Sequence, residues 1–188
     1  MPVELYHLIA FLISVTFVLW TIPDVKTLGL KLGIVDRPNA RKIHQNPVVR
    51  VGGVSIFAGT IAALVIVWLL GGFSALAPDK VTEVWAVIIG SILFFGIGFA
   101  DDLFNLTPIS RLLMQVAVAT GCWCMGVRID FVSFPIYSLV KIYWLSLPIT
   151  VVWLVGMANA INWIDGVDGL AAGVSGIAAF VMLDVNLC

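Results

Sequence analysis

The sequence predicts an all-α, multi-pass bundle of membrane-spanning helices. Of its 188 residues, 61% are hydrophobic and only 11% are charged, and the mean hydropathy of +1.10 is far from that of a soluble domain. Because lipid offers no hydrogen-bond partner to an open backbone, each span requires a helix of about 20 mainly apolar residues. Such stretches recur along the whole chain, and no low-complexity linker separates them.

Six spans are expected, with ends where the apolar runs meet charged or turn-forming residues. They cover residues 2–22, 52–72, 84–100, 109–127, 143–160 and 170–187. The first is expected to be a permanent span, because its start has no basic residues and no small-residue cleavage site precedes Pro23. The sixth contains Asp184 and reaches the last residues. We therefore interpret residues 1–188 as one membrane-embedded domain that lacks its C-terminal part.

The segment between the fourth and fifth spans alternates apolar and polar residues on both sides of Pro135. Residues 128–131 read Arg-Ile-Asp-Phe, and residues 141–144 read Lys-Ile-Tyr-Trp. Because this alternation is typical of short strands, the segment is predicted to form a β-hairpin at the membrane interface.

The placement of the basic residues predicts which loops face the cytoplasm. Of the ten Lys and Arg residues, six lie between the first two spans and a seventh, Arg111, follows the third span. The remaining three lie in the other loops: Lys80, Arg128 and Lys141. Since loops rich in Lys and Arg stay inside, residues 23–51, 101–108 and 159–168 are placed on the cytoplasmic face of the cell membrane. The net charge of −1 gives no support to nucleic-acid binding.

The first candidate site is the pair Asp101 and Asp102, at the cytoplasmic end of the third span. Ionisable groups at membrane depth are costly and are usually retained for function. Adjacent helical residues point about 100° apart, so one carboxylate can approach a Mg²⁺ ion while the other acts as a base for an incoming phosphate or hydroxyl. The alternative is a solvated pair that ends the helix.

The second candidate site consists of polar residues at intervals of three: Asn159, Asn162, Asp165 and Asp168. Positions three apart share a helix face, so Asn162, Asp165 and Asp168 are expected to line one wall of a cavity. Gly166 and Gly169 allow a ligand to approach the backbone closely, or allow the helix to break. The alternative is an exposed loop between two spans.

The third candidate site is the basic loop between the first two spans. Residues 36–44 read Asp-Arg-Pro-Asn-Ala-Arg-Lys-Ile-His, and Arg50 and a Gly-Gly pair follow. Arg41, Lys42 and Arg50 are expected to bind diphosphate oxygens, since Arg offers a planar fork and Lys a point charge. His44 alone does not make a metal site. The alternative is a cluster that attracts anionic lipid headgroups, as cations beside a bilayer do.

All three candidate sites fall on the cytoplasmic side, and the hydrophobic pattern and the Lys/Arg bias decided that side without the motifs. Carboxylates, amides and cations at the lipid boundary suit a metal-bridged anion that reacts with a lipid headgroup. The sequence has no G-x-x-x-x-G-K-[ST] motif. Mg²⁺ and the scattered cations are therefore expected to neutralise the phosphate charge.

Three motifs in this order resemble those of the polyprenyl-phosphate N-acetylhexosamine-1-phosphate transferases, a group within glycosyltransferase family 4. They are D-x-P-x-x-R-K-x-H with its Gly-Gly pair at 36–53, F-A-D-D at 99–102 and N-x-x-D-G-x-D-G at 162–169. The family includes enzymes that begin lipid-linked synthesis of O-antigen, teichoic acid and peptidoglycan. The resemblance covers nearly the whole chain and implies an N-terminal fragment of a bundle of about ten or eleven spans.

The resemblance also implies an activity and a role for each matching residue. The activity is Mg²⁺-dependent transfer of a sugar-1-phosphate from a UDP-sugar to undecaprenyl phosphate, with release of UMP. Asp101 and Asp102 match the essential pair that activates the lipid phosphate and supports the metal. Asn162 matches a metal or diphosphate contact, and Asp165 and Asp168 match carboxylates of the nucleotide pocket.

The basic loop indicates which sugar to expect. Lys42 and His44 match the family's substrate-binding loop, whose R-K-x-H sequence is more similar to the UDP-GlcNAc enzymes than to the MurNAc-pentapeptide translocase. Two other hypotheses stay open: a transporter half, in which Asp165 and Asp168 bind a cation at a broken helix near mid-bilayer, and an inactive truncated remnant. The oligomeric state is left open between a monomer and a homodimer.

Overall fold

The computed structural model describes residues 3–33, 35–36, 48–49, 52–74, 76–133, 139–165 and 169–187. These residues form six α-helices with two small β-ladders between them. In chain order the helices are α1 (Val3–Leu32), α2 (Gly52–Leu69), α3 (Pro78–Phe104), α4 (Pro108–Cys124), α5 (Ser146–Ile164) and α6 (Leu170–Leu187). The predicted all-α fold class is confirmed.

Each predicted span coincides with one helix, and four helical segments are long and apolar enough to cross a membrane. These are Glu4–Leu32, Gly52–Leu69, Lys80–Phe104 and Tyr143–Ile164. Helix α4 has 17 residues, which gives a length of about 25 Å against a hydrocarbon thickness of about 30 Å. The described apolar part of α6, Leu170–Met182, is shorter still. Four spans are therefore supported by length and composition, and the other two stay predictions.

Helix α1 continues about three turns beyond the predicted end of the first span. Pro23 lies inside it, although proline has no N–H for the helical hydrogen bond. The hydroxyl of Thr27 donates to the carbonyl oxygen of Pro23 at 2.8 Å, which adds a side-chain contact to the turn that follows the proline. The first part of the predicted 23–51 loop is therefore helical.

The chain divides into two compact units, Met1–Arg111 and Leu112–Cys188. In the first unit, α1 and α2 come close at Gly59, where an added Cβ atom would lie 2.9 Å from Cγ2 of Val18 and 3.1 Å from the carbonyl oxygen of Ser14. Small residues allow helices to approach in this way in membranes. The rings of Phe57 and Phe95, with centroids 4.0 Å apart, pack α2 against α3.

A short antiparallel ladder joins the two ends of the basic loop in the first unit. Strand β1 (Val35–Asp36) pairs with strand β2 (Val48–Val49), and Asp36 lies opposite Val48. The sequence analysis did not predict this ladder, since two-residue strands are too short to show alternation.

The second unit contains the predicted hairpin, which is confirmed, while its position at the membrane interface stays a prediction. Strand β3 (Phe131–Ser133) pairs antiparallel with β4 (Leu139–Lys141), and Phe131 lies opposite Lys141. The backbone N–H of Ile142 donates to the carbonyl oxygen of Asp130 at 3.0 Å and so extends the pairing by one step. A short 3-10 turn, Tyr143–Leu145, then leads into α5.

Candidate active site

The two predicted carboxylates lie in the last turn of α3. The helix ends because Asn105 adopts a left-handed conformation, with φ of 51°, and its N–H donates to the carbonyl oxygen of Asp101 at 2.8 Å. Asparagine is among the few residues that adopt this conformation readily. Asp101 is partly buried and Asp102 is exposed. The two neighbouring carboxylates thus differ in exposure, and the different roles expected from their helical spacing stay a prediction.

A three-residue turn places the start of α4 beside Asp101. Thr107 caps α4 by accepting the N–H of Ser110 on its hydroxyl oxygen at 3.2 Å, and Pro108 occupies the first helical position, which suits its fixed φ. Arg111, in the first turn of α4, donates from Nη1 to Oδ2 of Asp101 at 2.7 Å. The exposed fraction of both side chains is 24%. This ion pair fixes the orientation of one of the two predicted catalytic carboxylates.

The second candidate site lies in the other unit, at the end of α5. Asn162 is in the last helical turn and exposed, and Asp165 follows the helix, donating its N–H to the carbonyl oxygen of Ile161 at 3.1 Å. Gly169 opens the way into α6 with a φ of 76°, a conformation that favours glycine. Asp168 lies outside the described residues, so the predicted wall of three polar side chains stays a prediction.

Asn159, the first residue of the same polar series, lies inside the second unit. Its Nδ2 donates to Oε1 of Gln115 at 2.7 Å and to the carbonyl oxygen of Val155 at 2.8 Å. Gln115 is buried and belongs to α4. The pair ties α4 to α5 one turn before Asn162, so it fixes the rotation of the helix that carries the second candidate site.

Gln115→Leu is expected to lower the thermal stability of the detergent-solubilised chain, since the Asn159 amide would lose one of its two acceptors and keep only the Val155 carbonyl oxygen. The expected loss is about 0.5–2 kcal/mol, and Asn159→Leu should give a similar loss. The double variant should lose less than the sum of the two, because it leaves no unpaired polar group. Additive losses in melting experiments would contradict the proposed pairing.

The third candidate site lies outside the described residues. This applies to Lys42, His44 and Arg50, the predicted substrate-binding residues of the loop. Only its two ends are described, at β1 and β2, and their pairing brings the start and the end of the basic segment together.

The described oxygen donors are of the kind that Mg²⁺ prefers. Asp101, Asp102 and Asp165 offer carboxylates and Asn162 an amide oxygen. Within the described ranges, no group of three His, Cys, Asp or Glu side chains gathers. A full protein cage is not required, since Mg²⁺ usually takes one or two carboxylates together with water and substrate phosphates. The Asp101–Asp102 pair of the first unit therefore fits the implied ion by itself.

Sequence reasoning missed two residues of this site. Arg111 served only to assign topology, and Gln115 was not considered. A signal was available for both, because they lie four residues apart on one helix face inside a predicted span, where polar groups are rare and usually functional.

Comparison with known proteins identifies the family. Residues 84–187 match the model described as glycosyl transferase family 4. This match includes both the Asp101–Asp102 pair and the polar series, and it covers more than half of the 188 residues. The chain belongs to this family, which confirms the resemblance read from the motifs.

Individual relatives are polyprenyl-phosphate sugar transferases by name. The probable undecaprenyl-phosphate N-acetylglucosaminyl 1-phosphate transferase of Bacillus subtilis (strain 168) is 37% identical over 168 residues, which cover 89% of this chain and 44% of that protein. The decaprenyl-phosphate N-acetylglucosaminephosphotransferase of Mycobacterium tuberculosis (strain ATCC 25618 / H37Rv) is 32% identical, over 84% of this chain and 40% of that protein.

A third relative transfers a different group by its name. The phospho-N-acetylmuramoyl-pentapeptide-transferase of Listeria welshimeri is 31% identical, over 90% of this chain and 54% of that protein. The chain thus spans about half the length of the curated relatives it matches. No solved structure matches it significantly. Together with the long apolar helices, the comparisons make the chain a membrane protein.

Proposed function

We propose that this chain belongs to an enzyme that transfers GlcNAc-1-phosphate from UDP-GlcNAc to undecaprenyl phosphate and releases UMP, as the first membrane step of cell-envelope polysaccharide synthesis. The observation that carries the proposal is the end of α3, where Arg111 orients Asp101, one member of the carboxylate pair, inside the segment that matches the family. The names of the relatives and the R-K-x-H loop favour GlcNAc over other sugars.

In the proposed reaction, an oxygen of the lipid phosphate attacks the β-phosphorus of UDP-GlcNAc. The bond from that phosphorus to the bridging oxygen breaks, and UMP leaves with the electron pair. Phosphoryl transfer needs positioning and charge neutralisation more than covalent help from the protein. Asp101, held by Arg111, is suited to a fixed orienting role, whereas the exposed Asp102 is suited to accept a proton from the lipid phosphate.

We assign the remaining residues by the same chemistry. From the motifs, Asn162 is assigned to Mg²⁺ and Asp101 and Asp102 to catalysis, and the bound ion would neutralise charge on the diphosphate. The substrate-binding residues are assigned from the sequence motifs: Lys42, His44 and Arg50 for the diphosphate, Asp165 and Asp168 for the nucleotide. The Lys/Arg bias of the loops supports a cytoplasmic active face in the inner membrane, where UDP-sugars are present.

The position of the carboxylates favours a transferase over a transporter half. A cation site of a transporter is expected near mid-bilayer, at a broken helix. Asp101 and Asp102 lie in the last turn of α3, and Asp165 follows the end of α5. Carboxylates at helix ends face the boundary where a water-soluble sugar nucleotide can meet a lipid phosphate.

The proposal is tested by incorporation of labelled GlcNAc-1-phosphate into solvent-extractable lipid. Membranes would contain the protein at the full length that its gene encodes, together with Mg²⁺ and undecaprenyl phosphate. Labelled lipid is expected from UDP-GlcNAc, and excess UMP should reverse its formation, since UMP is the leaving group. No product from UDP-GlcNAc, with product from another UDP-sugar, would reject the GlcNAc assignment. No product from any UDP-sugar would reject the transferase.

A further inference from the structure

The segment between the end of α4 and the start of α5, which includes the hairpin, carries a cluster of exposed aromatic side chains. The proposed reaction does not use them. Tyr143 and Trp144, in the short turn before α5, are 73% and 80% exposed, and Phe131 on β3 is 52% exposed. The apolar span Tyr143–Ile164 begins at this turn. Aromatic residues are enriched at the level where a span leaves the hydrocarbon and meets the headgroups.

A buried polar network holds this end in one conformation. The indole N–H of Trp123 donates to the hydroxyl of Ser146 at 3.0 Å, and that hydroxyl donates to Oδ1 of Asp130 at 2.9 Å. The N–H of Ile129 donates to the hydroxyl of Thr150 at 2.9 Å. Ser146 and Thr150 are buried. Asp130, the acidic residue nearest the hairpin in sequence, therefore accepts a hydrogen bond from a buried hydroxyl.

Two cations of the same segment are held by aromatic rings instead of carboxylates. The guanidinium carbon of Arg128 lies 4.4 Å from the ring centroid of Trp123, and its Nε–H donates to the Trp123 carbonyl oxygen at 3.0 Å. Nζ of Lys141 lies 5.7 Å from the ring centroids of both Phe131 and Tyr143. Both cations are exposed, and across the described ranges neither has an acidic partner within ion-pair distance.

We propose that Arg128 and Lys141, with the rings beside them, bind the phosphate of an anionic phospholipid headgroup. Among the described residues, Arg128 uses only its Nε–H, on the Trp123 carbonyl, so four of its five N–H donors are open to a ligand there. Basic residues beside a span attract anionic lipids, and phosphate oxygens accept charge-assisted hydrogen bonds from Arg and Lys. A bilayer lipid fits better than a protein partner, since the cations flank the first residues of a span, at headgroup level.

Lipid binding to the purified 188-residue chain, followed by native mass spectrometry, tests this site. Short-chain phosphatidylglycerol should bind more tightly than short-chain phosphatidylcholine. Lys141→Gln should weaken phosphatidylglycerol binding about fivefold, and adding Arg128→Gln should weaken it further. Lys141→Arg should bind as the parent does. Lys141→Gln leaves the hairpin intact, because the strand pairing is made by backbone groups, so it decides the question even if the Arg128 variant does not fold.

Lys80→Gln is the matched control. Lys80 is also an exposed cation at a helix start, but its Nζ lies 2.7 Å from the carboxylate of Glu83, so its loss should leave lipid binding unchanged. The proposal is overturned if Lys141→Gln binds phosphatidylglycerol as the parent chain does, or if Lys80→Gln weakens binding equally. Glycerol phosphate that binds as tightly as phosphatidylglycerol would identify a site for soluble anions and would also overturn it.

Discussion

Asp101→Asn is expected to reduce GlcNAc-1-phosphate transfer by about a hundred- to a thousandfold while the protein remains in the membrane. The amide keeps the size of the side chain but removes its charge, so it can no longer balance the charge of a cation at the site. Loss of one preorganised electrostatic group at a reacting phosphate has effects of this order. The measurement is the initial rate of labelled lipid formation at saturating UDP-GlcNAc, with protein levels matched by immunoblot.

Glu83→Gln is the control for this substitution. It makes the same carboxylate-to-amide change on the same helix, at the end opposite to Asp101, and it removes an exposed ion pair with Lys80 that should contribute little. Transfer by Glu83→Gln should stay within about twofold of the parent. Normal turnover in Asp101→Asn would show that the carboxylate at this position is not part of the reaction.

The helices and the hairpin could be predicted because each has a recognisable pattern of apolar and polar residues. Long apolar runs identified the six helices that the structure describes. The alternation on both sides of Pro135 predicted the hairpin, although the strands share only Phe131 and Lys141 with the alternating residues. The extension of α1 through Pro23 was not predicted, because proline normally favours a helix end. The apolar run that predicted this span ends before Pro23, so it does not show that the helix reaches Leu32.

The candidate residues were predicted from residue type and spacing, but their partners were not. Asp101 contacts Arg111 because α3 ends at Asn105 and α4 is capped by Thr107. The short turn between the two helices brings these side chains, ten positions apart, into contact. Asn159 contacts Gln115, 44 positions earlier. Such contacts depend on how helices pack against one another. The spacing of residues within one segment does not predict that packing.

These two contacts restrict the motion of residues at the two candidate sites. A carboxylate at the end of an apolar helix is free to rotate unless another group holds it, and catalysis requires reacting groups to be fixed before the substrate arrives. Arg111 and Gln115 lie four residues apart in α4, and one orients Asp101 while the other fixes the helix that carries Asn162. Each candidate site thus has a polar residue of α4 that contacts it within its own unit.

Arg111→Gln is the second substitution with a large expected effect. Transfer should fall about ten- to a hundredfold, because an orienting contact that shifts by about 1 Å can change a rate by this amount. Arg111→Lys should recover part of the rate, since it restores the charge but not the planar fork that fits a carboxylate. The loss should appear mainly in kcat, because in this proposal Arg111 acts on Asp101 and not on the bound nucleotide.

The double variant Asp101→Asn with Arg111→Gln separates orientation of Asp101 from direct binding of substrate by Arg111. If Arg111 works by holding Asp101, its removal has nothing left to disturb once the carboxylate is gone, and the double variant should be about as slow as Asp101→Asn alone. If Arg111 instead binds a substrate phosphate by itself, the two losses should multiply and the KM for UDP-GlcNAc should rise. The rate of the double variant therefore decides whether the ion pair at the α3–α4 turn is a catalytic positioning device or two independent contacts.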